Sequence, residues 1–331
     1  MGEKELSHKG KIVRDIVAAL NSYDNFTERA SKASAVSELE GFDYPPFFQS
    51  EIIELPHHAK MEKLVRDDSK IQDGELSTFI TPHDESSGLT QNPEEKYVIL
   101  HLHGGGYVGA FKKNYHRVAG YYSEVSHGMD VYSLDYRVAP EFPFPAAVQD
   151  AVDAFHYILA QGIKADHIFI GGDSAGGGLG LALSMYLRDE KGMIPAGLIL
   201  MSPWADTSAS GPSYTENTEI DPVFGGSRSA LIFENPYAMD ADKQNPMLSP
   251  AFGDFAGLPP MLVQTGTDEM LLSDSETVAE KAKNSGVKIR YTKYEGMFHV
   301  FQMAGPIMEE SSRAWTEVGK FINAVKNLAD L

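Results

Sequence analysis

Gly172-Asp173-Ser174-Ala175-Gly176 sets a serine between two glycines, behind an apolar run at Ile168 to Ile170 and ahead of a helix-compatible stretch reaching Leu187. A tight strand-to-helix turn leaves no room for side chains beside a nucleophile, so glycines on both flanks lift the Ser174 hydroxyl clear of the sheet. The helix that follows directs its N-terminal dipole at developing negative charge. The same pattern arises in glycine-rich chains without chemistry, and Gly176-Gly177-Gly178 would also serve close helix packing. A phosphate loop would need Lys followed by Ser or Thr after the last glycine, and Gly176, Gly178 and Gly180 miss the dinucleotide spacing, so a nucleotide is not expected here.

A hydroxyl is a poor nucleophile at neutral pH and needs a base; imidazole, with an ordinary pKa of about 6.5, can take a proton and return it. His299, closing Gly296-Met297-Phe298-His299 after the run Val287 to Tyr291, is the base expected. The imidazole in turn needs an acceptor on its other nitrogen. Asp268, at the end of Gln264-Thr265-Gly266-Thr267-Asp268, is the acid expected, with Glu269 and Asp274 as rivals. Serine, acid and histidine then follow in the chain order of one known strand-loop arrangement.

His103-Gly104-Gly105-Gly106-Tyr107 ends the run that begins at Tyr97. Consecutive glycines let backbone amides approach a substrate oxygen with no Cβ in the way, and two of them with the amide of Ala175 would make an oxyanion hole. His101 and His103 alternate on the same run, but a metal needs further ligands, and none is marked by spacing. Neither a metal nor an organic cofactor is expected. The three segments together describe acyl transfer through a covalent serine intermediate.

Elements able to hold these loops are legible around them. Tyr97 to Leu102, Val131 to Leu134, Ile168 to Ile170, Leu198 to Met201, Met261 to Val263 and Val287 to Tyr291 are short apolar runs separated mostly by helical stretches. Such runs predict an α/β fold with a mostly parallel sheet covered by helices on both faces, its site in the loops at the strands' carboxyl ends. Residues 1–74 are helix-like around Ile12 to Leu20, broken by Pro45-Pro46, and show no clear strand pattern. Between Trp204 and Pro250 the chain is polar and turn-rich, with Gly211-Pro212, Asp221-Pro222 and Gly225-Gly226, and reads as an insertion. An amphipathic segment from about Glu309 to Leu328 closes the chain and would cover the sheet.

The 331 residues carry 28 basic and 47 acidic side chains, a formal net charge of −19. That charge repels a phosphate backbone, so nucleic acid is not an expected partner, and solubility is its plain reading. There is no cysteine, which removes disulfides, thiolate metal sites and a cysteine nucleophile. Met1-Gly2-Glu3-Lys4-Glu5 opens with mixed charge rather than a signal peptide, and no run reaches membrane-spanning length, so a soluble, cytoplasmic protein is the expectation. Asn25-Phe26-Thr27 spells a glycosylation acceptor that carries no weight without a secretory signal.

Over residues 97 to 302 the chain resembles the hormone-sensitive-lipase-like esterases, the bacterial family IV of the α/β-hydrolase fold. The likeness rests on His103 to Tyr107, Gly172 to Gly176, Asp135-Tyr136-Arg137-Val138-Ala139-Pro140-Glu141, Pro143-Phe144-Pro145-Ala146-Ala147, Ser202-Pro203-Trp204 and Gly296 to His299. It implies a catalytic triad of Ser174, Asp268 and His299, an oxyanion hole of the Gly104, Gly105 and Ala175 amides, and a His103 that shapes its loop without reacting. It further implies a catalytic core of residues 75–204 and 251–331 under a cap made of 1–74 and 205–250. Asp135 to Glu141 reads as architecture, with Arg137 paired to a carboxylate and Pro140 setting a turn. Tyr107, Phe47, Phe48 and Trp204, with Phe111 and Tyr115, are the aromatics expected to line a substrate pocket.

The expected activity is hydrolysis of short- to medium-chain carboxylic esters. The expected partner is a small-molecule ester, with a homodimer left open. The plant gibberellin receptors resemble the same family and bind a ligand without hydrolysing it; they depart at the histidine position, where this chain keeps His299.

Overall fold

The computed structural model describes residues 6–21, 36–71, 96–226 and 230–328; Asn25-Phe26-Thr27 and parts of the expected cap lie outside them. In chain order the described elements are α1 (His8–Asn21), β1 (Phe48–Glu54), β2 (Lys60–Arg66), β3 (Val98–Leu102), α2 (Lys113–Val125), β4 (Asp130–Asp135), α3 (Ala146–Ala160), β5 (Ile168–Asp173), α4 (Ala175–Lys191), β6 (Gly197–Met201), the single turns α5 (Ser213–Glu216) and α6 (Ala230–Phe233), β7 (Met261–Gly266), α7 (Leu272–Asn284), β8 (Ile289–Tyr294) and α8 (Glu309–Lys326).

The strands form one eight-stranded sheet in the order β1-β2-β4-β3-β5-β6-β7-β8. From β4 to β8 every pairing is parallel, while β1 with β2 and β2 with β4 are antiparallel. Strands β3, β5, β6 and β7 are buried at every position, which is why they read as continuous apolar runs rather than alternating ones. Successive side chains still divide between two layers. Leu100, Leu102, Ile170, Leu198 and Val263 pack with α3, α4 and α7 through Phe155, Leu179, Leu183 and Val278. Ile99, Val131, Phe169, Ile199 and Leu262 face α2 and α8 through Val118, Tyr122, Trp315 and Phe321. Each such aliphatic side chain removed from water contributes about 1.5–3 kcal/mol before ordering costs.

β1 and β2 correct the expected division of the chain: residues 48–66 belong to the sheet, not to a cap. They were hard to read because β1 is an edge strand with one neighbour and mostly exposed side chains, including Glu51 and Glu54. A buried polar clamp fixes this corner. Glu62 Oε2 of β2 accepts from Tyr44 Oη at 2.6 Å and from His116 Nδ1 at 2.9 Å, while His116 Nε2 meets the Glu38 carbonyl at 3.0 Å.

The register aligns the chemistry. Leu102 pairs with Gly172, Gly172 with Leu200, and Gly266 with Tyr294, so the loops after β3, β5, β7 and β8 emerge at one edge. β3 lies between β4 and β5, the switch point where an open parallel sheet leaves a crevice. No described helix is long and apolar enough to cross a membrane.

Candidate active site

β5 ends at Asp173, and α4 begins at Ala175, so Ser174 alone makes the turn. Its backbone is held at φ 53°, ψ −123°, a conformation that costs of the order of 1–3 kcal/mol for a residue with a Cβ. Neighbours hold it there: Ser174 N donates to Met201 O at 2.9 Å, and Ser174 O accepts from Trp204 N at 2.8 Å and Gly178 N at 3.1 Å. The flanking glycines are obligatory in space. A Cβ on Gly172 would overlap the Gly176 carbonyl, and one on Gly176 would overlap the Leu102 carbonyl.

The loop after β3 is set against this turn. His103, fully buried, stacks on Tyr136 with ring centres 4.1 Å apart, and its Nδ1–H donates to Gly104 O at 2.7 Å. Burial pushes the His103 pKa down, so the neutral ring serves as a strut, the part the resemblance implied. The Gly104 amide is already used, donating to Asp173 Oδ1 at 3.2 Å; that corrects its expected place among the oxyanion donors. Among the described residues no protein acceptor takes the amides of Gly105 or Ala175, and Gly105 adopts φ 112°, open to glycine alone without strain.

Asp173 was not singled out from the sequence. Its carboxyl also accepts from Tyr115 Oη at 3.3 Å and lies buried beside Ser174. Burial pushes its pKa up to about 7, against the opposing pull of the His299 charge and the Gly104 and Tyr115 donors.

The acid position is where structure and sequence part. Thr267 N donates to Tyr294 O at 3.1 Å and Asp268 N to Met297 O at 2.9 Å, which knits the loop after β7 to the loop after β8. In that conformation Asp268 points outward and pairs with Arg14 Nη1 at 2.7 Å. Glu269, fully buried, points inward, and its Oε2 lies 2.7 Å from His299 Nδ1. Its Oε1 accepts from Gly266 N at 2.7 Å, from Ser202 Oγ at 2.9 Å and from Thr265 Oγ1. Ser202 Oγ accepts in turn from Val300 N at 3.2 Å, next to the histidine. The expected partner Asp268 is therefore corrected to its rival Glu269. Asp274, the other rival, is spent elsewhere: its Oδ2 accepts from Ala205 N and Asp206 N at 2.8 Å each, and burial raises its pKa well above the carboxylate range.

Ser174, His299, Asp173 and the three glycines 104–106 share one cavity of about 540 Å³. Its other walls are largely apolar: Val17 of α1, Val108 and Ala110, Val223, Phe224 and Leu231 of the insertion, and Phe298, Val300 and Met303. The insertion is tied to the acid loop, since Asn217 Nδ2 donates to Thr267 O and Glu269 O at 3.0 and 2.8 Å, and Asp221 Oδ2 accepts from Met270 N at 2.7 Å. The Phe224 ring lies against His299, 4.7 Å between centres.

Of the aromatics expected in the pocket, Tyr115 alone lines this cavity. Tyr107 is buried on Tyr237, stacked at 4.0 Å. Trp204 lies in the core behind the serine turn, its Nε1 donating to Asp206 O at 3.2 Å. Phe47 and Phe48 pack on one another at β1, and Phe111 is buried in the α2 layer. Arg137 pairs with the buried Asp150 at 2.8 Å rather than with a carboxylate of its own segment. His101 Nδ1 meets Ser133 Oγ at 3.0 Å inside the core.

The family that matches residues 99–303 is that of the alpha/beta hydrolase fold. An esterase of Acinetobacter venetianus is 36% identical over 229 residues, 69% of this chain and 75% of its own length. An acetyl-hydrolase of Streptomyces hygroscopicus is 35% identical over 224 residues, 68% of this chain and 74% of its own. The crystal structure of an esterase from the bacterial hormone-sensitive lipase family superposes with a TM-score of 0.77 at 30% identity, over 96% of this chain and 98% of that one. The chain belongs to the α/β-hydrolase family, within its hormone-sensitive-lipase-like esterases.

Proposed function

We propose that the protein is a serine carboxylesterase in which Ser174, His299 and Glu269 form the triad and the amides of Gly105 and Ala175 receive the oxyanion. The observation that carries this reading is the contact of His299 Nδ1 with Glu269 Oε2 at 2.7 Å, in the cavity that Ser174 shares with the glycine loop. His299 Nε2 takes the Ser174 proton as Oγ attacks the ester carbonyl, and Glu269 holds the tautomer and stabilises the imidazolium. Collapse of the tetrahedral intermediate expels the alcohol, which receives that proton; water activated by His299 then cleaves the acyl-enzyme. Ala175 opens α4, so its amide and the helix dipole face the same developing charge.

A cavity of about 540 Å³ with mainly apolar walls suits small to medium esters. Activity named for the relatives, esterase and acetyl-hydrolase, agrees with that size. The domain reading becomes a catalytic core that includes residues 48–66, capped by α1 and the insertion at 205–250. An enzyme acting without nucleic acid remains our reading of the charge.

The test is a series of p-nitrophenyl esters from acetate to decanoate. Turnover with preference for the short acyl groups, abolished in Ser174→Ala with the fold retained by circular dichroism, is the expected result. Ligand binding without turnover across the series would move the protein to the receptor-like class.

A further inference from the structure

Asp268 is free of the histidine, and its actual partner lies on the N-terminal helix. Arg14 Nη1 pairs with Asp268 Oδ2 at 2.7 Å and reaches the Gly296 carbonyl at 3.4 Å, so one guanidinium spans the two loops that carry Glu269 and His299. The start of α1 is fastened separately. Ser7 accepts from Gly10 N at 2.9 Å as the helix cap while its own N–H and Oγ–H donate to Glu310 Oε1 and Oε2 at 2.7 and 2.8 Å. Glu310 is buried in the first turn of α8, and Gly10 lets it approach: a Cβ there would stand 2.9 Å from Oε2. Val13 and Val17, four residues apart on one face, pack against the cluster of Met297, Phe298 and Phe301, and Val17 reaches the cavity wall.

We propose that Arg14 and Asp268 are positioning residues that latch α1 across the catalytic loops, making Val17 a wall that limits the size of the ester group admitted. The specificity part rests on the esterase reading above; the latch itself does not. A helix of fourteen residues is marginal in water without such contacts. Leu6 against Gly296, the Ser7–Glu310 clamp and the valines seat it, and the ion pair fixes its angle over the site. The pair is only partly exposed, 30% for Arg14 and 17% for Asp268, so salt screens it incompletely.

Two readouts separate the claims. Hydrogen–deuterium exchange over residues 10–17 is expected to quicken at least threefold in Arg14→Gln and in Asp268→Asn, and to return toward the native rate in the exchanged pair Arg14→Asp/Asp268→Arg. Native exchange in both single variants would overturn the latch, whether or not the protein hydrolyses esters. In steady-state kinetics, the same single variants are expected to change KM for p-nitrophenyl hexanoate threefold to tenfold with a smaller change in kcat, and Val17→Ala to raise kcat/KM for hexanoate relative to acetate by a similar factor. Unaltered hexanoate-to-acetate ratios in all three would overturn Val17 as the size limit. A thousandfold fall of kcat on acetate in Asp268→Asn, with KM unmoved, would make Asp268 the orienting acid and overturn the proposal outright. No ester turnover by the native protein would defeat the esterase reading and its specificity consequence, leaving the exchange result to decide the latch.

Discussion

Glu269 and His299 are joined at 2.7 Å from Oε2 to Nδ1, on consecutive loops of the sheet's carboxyl edge, while the neighbouring Asp268 turns away to Arg14. A one-residue difference in the acid thus decides which loop carboxylate meets the imidazole. Glu269→Gln keeps the shape and removes the acceptor charge; kcat is expected to fall a thousandfold or more, since the corresponding Asp→Asn change in a Ser-His-Asp triad costs about ten-thousandfold. Ser202→Ala, which removes a donor to Glu269 Oε1 and the acceptor of Val300 N, is expected to cost roughly tenfold, of the order of one lost hydrogen bond. Steady-state kinetics on p-nitrophenyl acetate checks both, and a Glu269→Gln enzyme within tenfold of native would remove Glu269 from the triad.

The serine turn makes a prediction about stability. Gly176→Ala drives a Cβ into the Leu102 carbonyl, whereas the same change at Gly180 meets only the Ile170 methyl at 3.1 Å. Urea unfolding is expected to show a loss of about 3 kcal/mol or more for the first and a change within about 1 kcal/mol for the second, where the helix gains by losing a glycine. Equal effects would mean that the turn is looser than its geometry.

Asp173 makes a prediction about pH. Its folded pKa, about 7, lies above the ordinary value of about 4, so the folded state binds the proton more tightly than the unfolded chain. The stability this contributes is complete below about pH 4 and is lost as pH rises through about 7. Asp173→Asn removes the linkage. The stability of the native protein relative to this variant should therefore fall between pH 4 and pH 8, by up to about 4 kcal/mol. Denaturant titrations of both proteins at the two pH values measure it; a relative stability that rises with pH would show Asp173 to be ionised and well solvated.

Strands β3 to β7 and the helix at 309–326 were legible because burial on both faces leaves apolar runs and a one-sided helix leaves a period, while β8, an edge strand with half-buried side chains, was legible only in its first half. β1 and β2 were not, since the edge strand Phe48–Glu54 keeps most positions exposed and its neighbour sets Lys60, Glu62, Lys63 and Arg66 among its apolar residues. That Ser174 and His299 meet in one cavity could be read to the residue, because the glycines at 172 and 176 and the order of loops constrain them. The carboxylate that meets His299 could be named only to within one position. Which of Asp268 and Glu269 faces inward depends on the bonds from Thr267 and Asp268 to Tyr294 and Met297, a tertiary pairing with no local signature. Gly104 was misread for a like reason, its amide being claimed by Asp173 across the sheet edge. The pocket was least legible: Tyr107, Trp204, Phe47 and Phe48 are large and apolar, but those properties suit a core equally; the first three are buried away from the cavity and Phe48 packs against the margin of the core. Val17, far from the motifs in sequence, reaches the cavity only because α1 folds back over the loops.

The claim on which the chemistry rests is that Ser174 Oγ is the group acylated. Reaction with a fluorophosphonate, followed by peptide mass spectrometry, tests it without assuming a substrate. One adduct on the peptide containing Ser174, absent from Ser174→Ala and formed at least a hundredfold more slowly in Glu269→Gln, is the predicted result. An adduct on a different residue, or native ester hydrolysis that persists with Ser174 unlabelled, would contradict it.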